Sequence, residues 1–262
     1  MKDMENNIEG NKTPRAGSQL RRAVRAASFG LLFFSLLGTG IVWAGTNSFR
    51  CSDTIWQTSL ALGLFLSLLA WVIYLPFRNT DKLLGNGLLS IFTFLCLFWL
   101  FGFAGFYFYF LFAPINIWLR ITAISGITTS LIYRVYIITH DINEAFQHHK
   151  KLFDRMYCDE GDFFTFSRQA VGLLEKSRAN RNPFKSIHLY AAMIVAPFTL
   201  TLNKILTPAL GEGHGVFLVE AFFSAPILLW GAEIFTQAII TMIYYPIKLQ
   251  LTTGKPVLMK NW

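Results

Sequence analysis

Charge is scarce in this chain: Asp, Glu, Lys and Arg make up 15% of its 262 residues, where soluble domains carry about 25%. That shortage excludes a highly charged disordered protein and leaves too little polar surface for an ordinary soluble globule. Cysteine is scarcer still. Cys51, Cys96 and Cys158 are the only three, too few and too dispersed for a disulfide framework or a cysteine zinc site. Five histidines do not supply the ligand clusters of a membrane di-iron oxygenase. The sequence contains no phosphate-binding glycine loop, nucleophile elbow or HExxH helix, so none of these signatures argues for an enzyme. An internal repeat, the mark of many secondary transporters, is also missing.

What is present is apolar. Hydrophobic residues make up 53% of the chain, against about 45–50% in soluble domains. They gather into six blocks of the length needed to cross a hydrocarbon core of about 30 Å, which takes roughly 20 residues of helix. The blocks are 26–44, 55–77, 88–112, 115–139, 187–207 and 216–246. The expected fold is therefore all-α: a polytopic helical membrane protein with six transmembrane helices and a cytoplasmic helical hairpin between the fourth and fifth. Residues 1–25 read as a disordered basic tail, 26–139 as spans one to four, 140–186 as the hairpin, 187–246 as spans five and six, and 247–262 as a second tail.

The net charge is +8, but the basic residues lie in short connections between apolar blocks, so the excess does not point to nucleic acid. Of 23 Lys and Arg, 19 fall before the first block, between the second and third, within 140–186 or after the last. The positive-inside rule then puts both termini in the cytoplasm, and the compact loops fit the plasma membrane, specifically a bacterial inner membrane. A cleaved signal peptide is the competing reading of the first block, with Val42 and Ala44 before Gly45. A leader carrying Asp3, Glu5 and Glu9 favours an uncleaved anchor instead.

Several spans carry features that argue for contacts. Ser59, Gly63 and Ser67 repeat every four residues in the second block, and Gly30, Gly38 and Gly40 occur in the first, so these two should form a close hairpin. The third holds twelve aromatic residues between Phe92 and Phe112, spread over every face, which suits lipid or a partner subunit. The breaker Gly85-Asn86-Gly87 should precede it. Ionisable residues inside spans are costly and are functional candidates by default. Arg120 and Arg134 in the fourth block match Glu220 and Glu233 in the sixth in depth, which predicts two interhelical ion pairs. Against this, Glu220 and Glu233 are about 140° apart on a straight helix, unless Pro226 kinks it, and the arginines could snorkel to the interfaces. Glu233 continues into Gln237 and Thr241 at four-residue spacing, a polar stripe that should face protein or water.

In 140–186 apolar residues follow helical spacing up to Tyr157 and again from Phe163 to Ala179, with Asp162 as the expected N-cap of the second helix. Phe163 and Phe166 are candidates for binding a partner, and Lys176, Arg178, Arg181 and Lys185 for binding anionic lipid headgroups. His140, Glu144 and His148 lie at i, i+4 and i+8 and could share a metal, although a solvated helix face is the expected reading. No cofactor is expected. The residues point to a non-enzymatic membrane component, a scaffold or accessory subunit of a secretion, export or defence assembly, with other subunits or copies of itself as partners. A transporter or channel working around Glu233 and Arg134 is the alternative, and an enzyme using the His140 cluster comes third.

Overall fold

The computed structural model describes residues 18–148, 150–177, 190–191, 194, 198–211 and 213–259. Among them are five helical rods long and apolar enough to cross a membrane: Leu20–Phe49, Thr54–Phe77, Leu83–Phe112, Ile117–His148 and His214–Thr253. The expected count of six is not reached, because the span over 187–207 lies largely outside the described residues. Its described part is the 12-residue helix Thr199–Leu210.

Helix α1 (Ser18–Phe49) begins eight residues before the expected block. Leu20 and Val24 are fully buried, in one cluster with Ala70 and Leu89, so residues 18–25 belong to the helix and not to a disordered tail. Helix α2 (Thr54–Tyr74) packs antiparallel to α1 through hydroxyls: Ser28 Oγ meets Ser67 Oγ at 3.0 Å, and Thr39 Oγ1 lies 3.4 Å from Ser59 Oγ. Gly63 sits directly against Ser35. The stripe read in α2 is thus answered by serine and threonine of α1. Gly30 and Gly38 turn instead toward Cys96 and Trp99, and Gly40 faces open space.

The third rod is central, not lipid-facing. It comprises α3 (Leu83–Leu97), a π-helical stretch Phe98–Tyr107 and α4 (Phe108–Phe112). Phe106, Phe108, Tyr109 and Phe110 are buried, because two glycines in the π stretch admit the last rod: Gly105 abuts Ser224, and Gly102 abuts Leu228. Gly85 and Gly87 do not break the helix; they lie inside α3, where lack of a side chain lets Phe77 approach Gly85 and the Met242 carbonyl approach Gly87.

Helix α5 (Ile117–His148) has 32 residues, about 48 Å at 1.5 Å per residue. The last rod has 40 residues, about 60 Å. Both exceed a hydrocarbon core of about 30 Å, so they project from the bundle at one end. There they carry a lobe. Helix α6 (Lys150–Met156) leads into strand β1 (Tyr157–Asp159), strand β2 (Phe164–Phe166) and helix α7 (Arg168–Ser177). Beyond these come α8 (Thr199–Leu210), α9 (His214–Ile239), a π turn Ile240–Tyr244, α10 (Tyr245–Thr253) and strand β3 (Val257–Met259).

The lobe corrects the expected two-helix hairpin. Phe164-Thr165-Phe166 alternates with period two, so both phenylalanines point inward from a strand. That strand pairs antiparallel with β1 and parallel with β3. Helix α7 therefore starts at Arg168, not Phe163, and Asp162 lies in the hairpin turn instead of capping a helix; Gly161 takes the positive φ of 93° there. The C-terminal tail is not free, because β3 also reaches the connection between the second and third rods, where Met259 donates its amide to the Asp81 carbonyl at 2.8 Å. One apolar core joins Ile142, Phe146, Met156, Tyr157, Phe166, Leu174, Val257 and Met259.

Lys255 Nζ clasps both carboxylate oxygens of Asp159 at 2.9 Å, and that hydrogen bond holds the Asp159 carboxyl below the usual range. A lowered carboxyl stabilises the fold above the ordinary carboxylate range and loses that effect as pH falls from that range through its own lowered value. The small Tm difference between wild type and Asp159→Asn at pH 7 is thus expected to shrink once pH drops below about 4 and to vanish only below the lowered Asp159 value. Deleting residues 255–259 should act more broadly. It strips one side of β2, and amide exchange at 164–166 should rise at least tenfold while the α1–α2 hairpin keeps its protection.

Candidate functional site

Arg134 and Glu233 face each other across α5 and α9 just beneath the lobe. Each lies near the lobe-side end of its apolar run: Arg134 is seventeen residues beyond Ile117 and Glu233 nineteen beyond His214, roughly 26 and 29 Å along their axes. Arg134 Nη2 donates to Glu233 Oε2 at 2.9 Å, with the two side chains only 12% and 11% exposed. Neither charge is tolerable alone at this depth. Together they hold α5, whose outer face is otherwise exposed apolar surface from Ile117 to Tyr136, against the last rod.

The polar stripe continues toward the lobe. Thr236, Gln237 and Thr241 are all buried. Thr236 Oγ1 returns to the Ala232 carbonyl and Thr241 Oγ1 to the Gln237 carbonyl, at 2.7 and 2.8 Å, so both hydroxyls are satisfied within their own rod. Below them Tyr245 OH donates to Asn143 Oδ1 at 2.9 Å, a second polar tie between α5 and the last rod that hydropathy does not reveal.

The second expected ion pair is not formed. Arg120 Nη2 donates to the Ala113 carbonyl at 2.8 Å, at the C-terminal end of α4, where orphaned carbonyls and the helix dipole attract a cation. Glu220 is half-buried on α9, and no ion pair joins it to Arg120 among the described residues. Helix α9 runs through Pro226 without interruption, so the angular separation of Glu220 and Glu233 decides the outcome and only Glu233 meets α5. At that same far end His214 Nδ1 lies 3.2 Å from Tyr109 OH, with the Phe49 ring 5.1 Å away.

The remaining candidates are placed as follows. Phe166 is 2% exposed and inside the lobe core, so it is not a surface contact; Phe163 is half-buried in the turn. Lys176 is exposed in the last turn of α7, while Arg178, Arg181 and Lys185 lie outside the described residues. His140, Asp141 and Glu144 bring ligand atoms within 4.8 Å of one another. His148 does not join them, because its Nδ1 donates to the Glu144 carbonyl at 3.0 Å. His140 and Glu144 are more than half exposed, at 3.7 Å, the geometry of a solvated i, i+4 pair.

Among the described residues, grooves open on the sides of the bundle. One of about 550 Å³ runs between Phe106, Phe110, Leu218 and Pro226, and one of about 440 Å³ lies between α2 and Trp99, Phe103 and Phe112. Both are apolar, and no charged residue lines either.

No family model, curated protein or solved structure matches the chain.

Proposed function

We propose that this chain is a non-enzymatic component of a larger membrane assembly, a scaffold or accessory subunit that presents its lobe at the cytoplasmic face to other subunits. The observation that supports it is the direct Arg134–Glu233 pair. A carboxylate tied to a guanidinium on the neighbouring helix serves as a cross-brace, and a permeating cation would first have to break that tie. The brace sits beneath a lobe whose sheet joins the hairpin β1–β2 to β3 from the far end of the chain, which is how a bundle holds a docking platform at fixed height. Both termini are cytoplasmic in this reading, the membrane is a bacterial inner membrane, and Lys176 with Arg178, Arg181 and Lys185 rests on anionic headgroups.

The test is capture of the tagged full-length chain from its native membrane in mild detergent, read by mass spectrometry and particle mass together. Stoichiometric partners are expected, and they should be lost from a variant lacking Arg168–Ser177. A partner-free particle whose reconstituted vesicles show solute flux, abolished by Glu233→Gln, would replace the scaffold with a transporter.

A further inference from the structure

The π turn Ile240–Tyr244 stands between the ion pair and the lobe, and its hydrogen bonds follow from one residue. Pro246 has no amide hydrogen, so Met242 loses the donor it would have four residues on. The Tyr245 amide donates to the Ile240 carbonyl, five residues back. That leaves the Thr241 carbonyl without either helical donor, since its α partner is engaged with Ile240 and its π partner is the proline. The lobe supplies the missing hydrogen: Tyr157 OH, on β1, donates to the Thr241 carbonyl. Met242, for its part, turns its carbonyl onto Gly87 of α3, where a C–H contact is the available partner.

Two hydrogen-bond arrangements compete for the Thr241 carbonyl. In one, Tyr157 holds it and Tyr245 bonds Ile240. In the other, Tyr245 bonds Thr241 in ordinary α geometry and Tyr157 is released. The two differ by one residue of register, which rotates one side of the rod against the other by about 100°. The Tyr245 side is anchored in the lobe, by Asn143 and by the rings of Phe146 and Phe153 at 5.0 and 5.5 Å. The rotation therefore falls on the side that carries Glu233, eight residues above Thr241, about 12 Å.

We infer that the π turn is a register switch linking the lobe to the intramembrane ion pair, with Tyr157 selecting the register in which Glu233 faces Arg134. The observation beneath this is the buried Tyr157 hydroxyl on the Thr241 carbonyl, which Tyr245 and Pro246 between them leave without a helical donor. Burial raises the Tyr157 hydroxyl well above the ordinary phenol range, so it remains a protonated donor at physiological pH. The link is a property of the chain itself and does not depend on any partner.

The experiment is a double-mutant cycle on thermal unfolding of the full-length protein in detergent. Glu233→Gln is measured in the wild-type background and in Tyr157→Phe, which removes only the donor. A register switch predicts that the Tm loss caused by Glu233→Gln falls to less than half in the Tyr157→Phe background, because the pair is already parted there. An unchanged loss, the two substitutions simply adding, would overturn the link and leave Tyr157 a local hydrogen bond. Pro246→Ala restores an amide and favours the α register, so it should reproduce the Tyr157→Phe result; it is read by the same criterion if Tyr157→Phe does not yield folded protein.

Discussion

Glu233→Gln and Arg134→Met are each expected to destabilise the bundle by about 3–5 kcal/mol, and the double substitution by much less than the sum. Either single change leaves one charge, or one row of donors, buried at membrane depth without its partner, which is the most costly arrangement available to this pair. The double change removes both desolvation costs and leaves a neutral amide beside a thioether. Purified protein unfolded thermally or by denaturant in micelles gives the comparison. A double variant no more stable than the worse single would show that the 2.9 Å contact is not what holds α5 to α9.

The second large effect is steric. A Cβ at Gly87 would stand 2.7 Å from the Met242 backbone carbonyl and 2.9–3.0 Å from side-chain atoms of Ile243 and Met242. Backbone cannot move aside as a flexible side chain can, so α3 and the last rod must part. Gly87→Ala should cost about 1–3 kcal/mol, as overpacking does, and Gly87→Leu should prevent the two rods from packing at all. Gly126 on α5 is the control, since an added Cβ there meets nothing within 4 Å. Gly126→Ala should be neutral or stabilising by up to about 1 kcal/mol, through helix propensity alone. Equal losses at the two positions would mean that close approach at Gly87 is not what the fold depends on.

The contrast between these glycines shows what was legible in the sequence. The rods are local patterns, so hydropathy finds all five but cuts several of their ends short, that of α1 by eight residues, and depth counted along two helices was enough to match Arg134 with Glu233. The same depth count also matched Arg120 with Glu220. It failed there because depth says nothing about azimuth, and because an arginine near a helix end finds carbonyls closer than any carboxylate. Gly85-Asn86-Gly87 reads as a breaker in isolation; its real use is visible only once the Met242 carbonyl is placed against it.

The lobe was the least legible part. Its strands are three residues each, too short for alternation to outweigh the helical spacing around them, and the partner that completes the sheet, β3, lies far along the chain from β2. Helical spacing makes Tyr157 one more apolar position on a helix. The signal that could have found it is Tyr245-Pro246 near the end of the last apolar block: a proline there orphans carbonyls, and a buried donor has to answer them. Phe166 followed the same misreading, since a phenylalanine on a supposed surface helix looks like a docking contact and on a strand becomes core.

Strand β3 has a further consequence, one of timing. Val257–Met259 leaves the ribosome after every described helix, yet β2 is paired on one side only until it arrives. Throughout synthesis, then, the nascent chain carries an unfinished sheet with an open edge, whatever spans are already in the bilayer. The sheet can close only if the last rod has been inserted in the orientation that brings its end back to Asp81 and Phe164. Closure thus depends on the last rod: were that rod alone inserted the wrong way round, β2 would keep only its β1 partner, with its other edge open.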